Sequence, residues 1–248
     1  MMNRIQITNF PKLDYACNEA MNTLCTNLFY CGDNIRSVLI TSRHEQEGKS
    51  SVAINMMRTI ASCGKRVVLV DADLRRSVLA SRYKFAYSQS ENFGLAEYLA
   101  GMCPLKQIVY ATNLENAFIV PAGREVMNSL QLLSSPRYEQ MIDKLSEIFD
   151  VVLVDTPPAG VIVDAVEIAK YCDGALLVVA SNKGRKQEID EVAKNIRKTG
   201  CKVLGAVLNN VDMHSFQNRK YYYRSGKYSA YYRNGYGYHK RQDKSEKD

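Results

Sequence analysis

The chain has 248 residues, of which 46% are apolar, and it carries a formal net charge of +7. Its longest apolar runs, such as VVLV and ALLVVA, fall far short of the roughly 18 residues of a membrane-spanning helix, so we expect neither a membrane-spanning nor a secreted protein. The seven cysteines form no CxxC pair and the three histidines lie far apart, which argues for reduced thiols and against a zinc site.

The positive charge is concentrated in the C-terminal segment 213–248. This segment holds nine Lys or Arg and three Asp or Glu, so it has a net charge of +6 and leaves +1 for residues 1–212. A specific nucleic-acid-binding domain carries basic side chains on a folded face, whereas a Gly-, Ser- and Asn-rich segment like this one is typical of disorder. We therefore expect a folded domain at 1–212 and a disordered basic tail at 213–248, with nonspecific contact to RNA or acidic lipid as an alternative role of the tail.

The folded part alternates strands and helices. A helix at about 14–28 is expected to pack outside the sheet. Runs that are apolar on both faces predict five buried parallel strands, at 37–41, 66–70, 151–154, 175–180 and 203–208. Helical patterns occur at 49–61, 136–148, 164–171 and 186–199, and shorter elements at 94–99, at 118–120 and near Ser129. The alternation predicts an α/β fold with a doubly wound, mainly parallel sheet.

The turn after the first buried strand is a candidate phosphate-binding loop. It ends in Gly48-Lys49-Ser50-Ser51, directly before a helix. In such a loop the backbone N–H groups and the helix N-terminus face the anion, Lys49 reaches the β and γ oxygens, and Ser50 ligates Mg²⁺. The motif is incomplete because its first glycine is Arg43 here. By itself it would be explained better by an ordinary surface turn, but its position after a buried strand favours a phosphate-binding loop.

Two further strands end in carboxylates. Asp71 and Asp73 lie in VVLVDADLRR, and Asp155 lies in VVLVDTPP. Because the C-termini of parallel strands line the ligand crevice, we expect the three acids to approach the Mg²⁺ held by Ser50. A single Asp at such a place more often caps a turn, but three in one α/β chain favour a nucleotide site.

These segments together identify a family resemblance. EGKSS, VVLVDADLRR, VVLVDTPPAGVIVDA and the terminal tyrosine cluster resemble the bacterial tyrosine kinases, autokinases of capsule and exopolysaccharide assembly, from the helix near Glu19 to the tail. The resemblance implies a P-loop NTPase fold of the ParA/MinD type, ATP and Mg²⁺ as cofactors, and phosphoryl transfer from ATP to tyrosine.

The resemblance also implies a set of site residues. The nucleotide-binding positions are Glu47, Gly48, Lys49, Ser50, Ser51 and Asn209. Catalysis falls to Lys49, Asp71 and Asp73, with Asp71 as the candidate base for a phenol whose pKa is near ~10. The metal ligands are Ser50, Asp73 and Asp155. For Asn209, matched to the adenine contact, an ordinary turn residue is an equal alternative, and Asp164, which also matches, could instead cap its helix.

The sequence departs from the family in two places. The family loop has Pro-Gly where this chain has Glu45 and Gln46. A left-handed backbone at 46 would cost a residue with a Cβ roughly 1–2 kcal/mol, and the carboxylate of Glu45 opposes phosphate binding. In the N-terminal helix, a Glu-x-x-Arg-x-x-Arg motif for subunit contact reads Glu19, Asn22 and Cys25. The charged half of that contact is therefore lost, and a homo-oligomeric ring would need another contact.

The tail holds the candidate acceptors. Eight of the sixteen tyrosines lie there in one cluster, at Tyr221, Tyr222, Tyr223, Tyr228, Tyr231, Tyr232, Tyr236 and Tyr238. The resemblance implies that a neighbouring copy phosphorylates them in trans. It also implies a cytoplasmic chain recruited to the inner face of the membrane by a transmembrane polysaccharide co-polymerase or adaptor, which activates it to regulate polysaccharide synthesis and export.

Two other functions stay open. A non-catalytic regulatory subunit of the same system would keep the fold and the tail but lose turnover, in line with the altered loop. A ParA/MinD-like ATPase would share the fold, but such proteins place Lys where this chain has Arg43, and they have no use for a tyrosine tail.

Overall fold

A mainly parallel sheet of seven strands lies at the centre of the part of the chain that the structure describes. The structure is a computed structural model, and it describes residues 3–89, 92–181, 183 and 185–211. In spatial order the strands are β5 (Tyr110–Ala111), β6 (Ala117–Val120), β3 (Val67–Asp71), β7 (Val151–Asp155), β2 (Ser37–Ser42), β8 (Gly174–Ala180) and β9 (Lys202–Asn209). β5 is antiparallel to β6, and the other neighbours pair in parallel. The predicted doubly wound, mainly parallel α/β fold is confirmed, but the prediction of a buried strand at 203–208 is wrong in one respect: β9 is the edge strand of the sheet, and none of its residues is buried.

Helices cover both faces of this sheet. They are α1 (Tyr15–Phe29), α2 (Lys49–Ser62), α3 (Leu79–Arg82), α4 (Leu95–Leu99), α5 (Ser129–Leu133), α6 (Pro136–Ile148), α7 (Asp164–Ala169) and α8 (Lys186–Arg197). Successive residues of β2 point to opposite faces. Leu39 joins a core cluster with α6, α7 and α8, whereas Val38 and Ile40 join a second cluster with α1 and α2. This double burial explains why the strand is apolar at these positions.

Five of the short elements were not predicted, whereas those at 94–99, at 118–120 and near Ser129 are present as α4, β6 and α5. β1 (Ile5–Ile7) and β4 (Phe85–Tyr87) form a separate antiparallel pair, and β5, α3 and a 3-10 turn at Leu105–Gln107 also escaped the sequence analysis. Two to four residues are too few to show a hydrophobic period. The longer strands and helices begin and end close to their predicted limits.

The N-terminal helix α1 begins after Asp14, whose carboxylate accepts a hydrogen bond from Cys17 N at 2.7 Å. Cys25 is buried in the core cluster shared with α2. Asn22 is exposed and donates to Glu19 Oε1 at 3.1 Å. Position 25 therefore serves the core of this chain itself, and the carboxylate at 19 has a partner on its own helix.

The described residues up to Asn209 form one compact unit. The tail 213–248 and its eight candidate tyrosines lie outside the described residues. Within the described ranges, no helix is both long and apolar enough to cross a lipid bilayer.

Candidate active site

The phosphate loop connects β2 to α2, and the side chain of Glu47 stabilises its conformation by hydrogen bonds. This side chain is fully buried. Its Oε2 accepts a hydrogen bond from His44 N at 2.8 Å, and its Oε1 accepts one from Ala180 N at 3.3 Å. The Glu47 carboxylate thus has backbone donors of its own and shapes the loop.

Two residues of the loop have a left-handed backbone, Gln46 with a φ of 59° and Gly48 with a φ of 92°. A Cβ at Gly48 would lie 2.0 Å from Nδ2 of Asn209, so the site requires glycine there. Gln46 carries a Cβ, unlike glycine. Its left-handed backbone therefore costs roughly 1–2 kcal/mol of conformational free energy relative to a right-handed one. The side chains of Glu45 and Gln46 are both exposed. The cost foreseen from the sequence for a left-handed residue at 46 therefore applies.

Asn209, the last residue of β9, connects the phosphate loop to this strand by a side-chain hydrogen bond. Its Nδ2 donates to the carbonyl oxygen of Glu47 at 2.9 Å. The side chain thereby holds the backbone beside Gly48. Its contact with adenine stays a prediction.

Lys49 and Ser50 open α2 next to the buried Asp155. Burial lowers the pKa of Lys49 from its ordinary value, while the charges of Asp155 and Asp73 act in the opposite direction. Burial raises the pKa of Asp155 to about 6, against the opposing effects of the Ser50 hydroxyl and the Lys49 charge. Among the described residues, Oδ1 of Asp155 is buried without a hydrogen-bond partner. A buried carboxylate oxygen without a donor is an open ligand position for a cation.

The other two carboxylates lie at the end of β3. Asp71 pairs with Asp155 in the register of the parallel strands β3 and β7. It is buried, and its oxygens accept hydrogen bonds from Ser77 Oγ and, at 3.4 Å, from Asp73 N. Burial and the Asp155 charge raise the pKa of Asp71 well above its usual range. The half-buried Asp73 accepts from Arg76 N at 3.0 Å.

The donor set fits magnesium. Hydroxyl and carboxylate oxygens are the ligands that this ion prefers, and it commonly keeps several waters and uses one or two carboxylates beside phosphate. Ser50 and the unpartnered Oδ1 of Asp155 meet that need, with Asp73 close enough to act on Lys49 electrostatically. In the described part of the chain, no three His, Cys, Asp or Glu side chains are arranged to hold a metal by themselves. The three predicted acids therefore share one edge of the sheet without forming a cage.

An ion pair between the buried Asp164 and the exposed Arg75 was only partly foreseen. Asp164 accepts from Arg75 Nε at 2.9 Å, from Arg75 Nη2 at 3.2 Å and from Ser129 Oγ at 2.6 Å. Its oxygens tie the segment after β3 to α5 and α7, and α7 has no side-chain cap. The alternative that Asp164 caps its helix is wrong. Neither Ser77 on Asp71 nor Ser129 on Asp164 has a signal in the sequence, since a single serine belongs to no motif.

Comparisons with known proteins agree with this geometry. Residues 37–206 match a family model described as an AAA domain. The tyrosine-protein kinase CpsD of Streptococcus pneumoniae serotype 4 is 36% identical over 195 residues, which cover 79% of this chain and 85% of that protein.

Two solved structures are similar over most of the described chain. The kinase domain of the Escherichia coli tyrosine kinase ETK superposes with a TM-score of 0.74 at 27% identity, covering 80% of this chain and 77% of that one. The septum site-determining protein MinD complexed with Mg-ADP, from Pyrococcus horikoshii OT3, gives a TM-score of 0.60 at 25% identity, covering 70% of this chain and 69% of that one.

Proposed function

The chain belongs to the bacterial tyrosine-protein kinases within the AAA-domain family, and from that premise we propose that it transfers the γ-phosphoryl group of ATP to tail tyrosines of a neighbouring copy. The observation that carries the proposal is Asp155, buried beside Lys49 and Ser50 with Oδ1 unpartnered. A carboxylate in this state, next to a lysine and a helix N-terminus, suits a site that receives a cation together with phosphate.

Different residues of the site bind the phosphates, accept the proton and hold the metal. The loop N–H groups and Lys49 bind the phosphates, and Asn209 with Glu47 keeps the loop in shape. Asp71, whose pKa burial raises, accepts the phenol proton. Ser50, Asp155 and Asp73 would hold Mg²⁺, which when bound neutralises phosphate charge and orients the transferred group.

The biological setting follows from the family resemblance. The kinase regulates capsular or exopolysaccharide synthesis and export, and the cytoplasmic segment of a transmembrane co-polymerase or adaptor activates it at the inner face of the membrane. Because Cys25 is buried and Asn22 is neutral, self-association uses contacts other than the charged helix motif of the family.

A phosphotyrosine assay tests the proposal. The purified chain is incubated with ATP and Mg²⁺, alone and with the cytoplasmic segment of its adaptor, and phosphotyrosine is detected by antibody and mass spectrometry. We expect signal on the tail of the wild type and none for Lys49→Met. If the wild type gives no signal in either condition, the proposal is wrong.

One observation favours a second function, that of a non-catalytic subunit. Gln46 occupies a left-handed position, and Glu45 adds to the negative charge around Lys49. Such a subunit would bind ATP weakly or not at all and would be phosphorylated only by a second, active kinase. The affinity for a fluorescent ATP analogue, measured with and without Mg²⁺, separates the two functions.

A further inference from the structure

A groove of about 820 Å³ lies on the N-terminal side of the sheet, where the parallel strands begin. Its lining includes Arg66, directly before β3, and Phe149, two residues before β7. Asp71 and Asp155 end the same two strands. The length of a five-residue strand, about 15 Å, therefore separates the groove from these carboxylates, and a ligand bound in it leaves the nucleotide site open.

Two cations line the groove, Arg66 and Lys106. The Arg66 guanidinium lies over two aromatic rings, with its Cζ 5.2 Å from the ring centroid of Phe149 and 5.7 Å from that of Phe118. These contacts hold the guanidinium in place. The carboxylate of Asp150 is outside the lining and accepts a hydrogen bond from Arg66 N at 2.8 Å. Among the described residues, neither cation forms an ion pair and no Asp or Glu lines the groove, so both positive charges can act on a ligand.

Apolar side chains lie beside the two cations. Phe93 and Leu105 are half-buried, and Ile148 at the end of α6 remains 50% exposed. Apolar surface gains from contact with an apolar group and gains nothing from an anion alone. Cations next to apolar surface therefore suit a ligand that joins a ring to a strong anion, and Arg is the side chain that most often recognises phosphorylated groups.

We propose that this groove binds a phosphotyrosine in the tail of a second copy of the chain, with the phosphate on Arg66 and Lys106 and the ring against Leu105 and Ile148. The inference rests on phosphorylation of the tail, which belongs to the proposed function, and adds to it a binding site for the product. Phosphorylation gives each tyrosine about −1.5 to −2 charges and three strong acceptor oxygens. Before phosphorylation the tail has a net charge of +6. The groove therefore repels the unmodified tail and attracts the phosphorylated one.

The order of the strands favours a second copy over the same chain. β9 ends at Asn209 on the side of the sheet that carries the carboxylates, and it lies four strands away from β3. To enter its own groove, a tail would have to pass around the sheet to the other side, which orders many residues and costs conformational entropy. The tail of a second copy orders only the residues that enter the groove. Phosphorylation would thus join copies without the charged helix motif of the family.

Peptide binding is the test. The full-length chain, freed of phosphate by a tyrosine phosphatase, is titrated into fluorescent peptides of the sequence SGKYSAYYRN, residues 225–234. One peptide carries phosphotyrosine at position 228, one carries phosphoserine there, and one is unmodified. We expect the phosphotyrosine peptide to bind about tenfold or more tightly than either of the others, measured by fluorescence anisotropy.

Substitutions locate the binding site. Arg66→Ala and Lys106→Ala should each weaken binding of the phosphotyrosine peptide by about fivefold or more. Lys65→Ala is the matched control, because Lys65 is an exposed cation next to Arg66 that does not line the groove. It should change the affinity by less than about twofold. Lys106 is exposed, so its variant keeps the test valid if Arg66→Ala fails to fold.

The outcomes separate the groove from the kinase function. Equal binding of the phosphotyrosine and unmodified peptides would overturn the proposal, as would unchanged affinity in Lys106→Ala. If the phosphoserine peptide binds as tightly as the phosphotyrosine peptide, the assignment to tyrosine is wrong. A chain that binds the phosphotyrosine peptide but never phosphorylates itself keeps the groove and loses the kinase function.

Sedimentation of the phosphorylated full-length chain tests the second copy. We expect the phosphorylated wild type to sediment as a larger species than the unphosphorylated one, and the phosphorylated Lys106→Ala variant to show no such increase. If the phosphorylated wild type does not increase in size and no longer binds the peptide, its tail occupies its own groove and the assignment to a second copy is wrong.

Discussion

Single residues of the phosphate loop show what a local motif can and cannot predict. The position of Gly48, Lys49 and Ser50 where the turn after β2 enters α2 was predictable, because glycine, lysine and a hydroxyl in this order after a buried strand have a known physical use. The inward turn of Glu47 and its link to Asn209 were not, because that link joins residues 162 positions apart. Contacts of this range depend on how the strands are ordered in the sheet, and the motif carries no information about that order.

At position 46 the structure predicts a gain from glycine. The left-handed backbone at a φ of 59° costs a residue with a Cβ roughly 1–2 kcal/mol, and glycine removes this cost. Glycine also makes the unfolded chain more flexible, which lowers the free energy of unfolding by about 0.4–1 kcal/mol and offsets part of the gain. We therefore expect Gln46→Gly to raise the free energy of unfolding by about 0.5–1 kcal/mol, measured by urea denaturation.

Two further variants serve as controls for that measurement. Lys84→Gly, at an exposed residue with a φ of 50°, should gain a similar amount away from the site. Glu45→Gly, at the neighbouring position without a positive φ, should gain nothing or lose stability. Equal effects at 45 and 46 would contradict the role assigned to the backbone of Gln46.

At the scale of elements, predictability followed the length of the apolar run, since β9 was predicted from VLGAVL although none of its residues is buried. β2, β3 and β7 are buried at every position. Strands buried on both faces need apolar residues at nearly every position, so each of the three is visible in the sequence as a mainly apolar run. β1 and β4 are short and only partly buried, with outward-facing residues between inward ones. Their pairing comes from contacts across the chain, and three residues cannot show a period.

The start of α1 depends on one carboxylate. Asp14 accepts a hydrogen bond from Cys17 N, and backbone hydrogen bonding lowers its pKa below the ordinary value of 3.8. We expect Asp14→Ala to lower the free energy of unfolding at neutral pH by about 1 kcal/mol, the usual loss of an N-cap. A carboxylate with a depressed folded-state pKa stabilises the fold above its unfolded pKa, and that contribution disappears as the pH falls through the folded pKa.

Urea denaturation as a function of pH checks both parts. The difference between the wild type and Asp14→Ala should shrink below about pH 4, where the carboxyl group takes up its proton. Asp14→Asn is the matched control, since it keeps a capping oxygen without a charge. It should retain most of the stability, and its difference from Asp14→Ala should not vary with pH. A pH-independent loss in Asp14→Ala would contradict the electrostatic part of this cap.

At the scale of the whole molecule, the net positive charge of the chain lies in the tail and not in the part that holds the candidate site. Residues 1–212 carry a net charge of +1 and the tail 213–248 carries +6. Composition alone predicts this division, because it needs only a count of charged residues along the chain.

Autophosphorylation should therefore reverse the charge of the tail. Each phosphotyrosine adds about −1.5 to −2 charges at neutral pH, so three or four cancel the +6 of the tail and eight exceed it. We expect the protein to elute from a cation-exchange column at progressively lower salt as incubation with ATP and Mg²⁺ proceeds, with mass spectrometry counting the phosphates in each fraction. A tyrosine phosphatase should restore the original elution. The variant with phenylalanine at all eight tail tyrosines has the same starting charge, and its elution should not move with ATP. If it moves as far as the wild type, the acceptors lie outside the tail, and the charge reversal assigned to the tail is wrong.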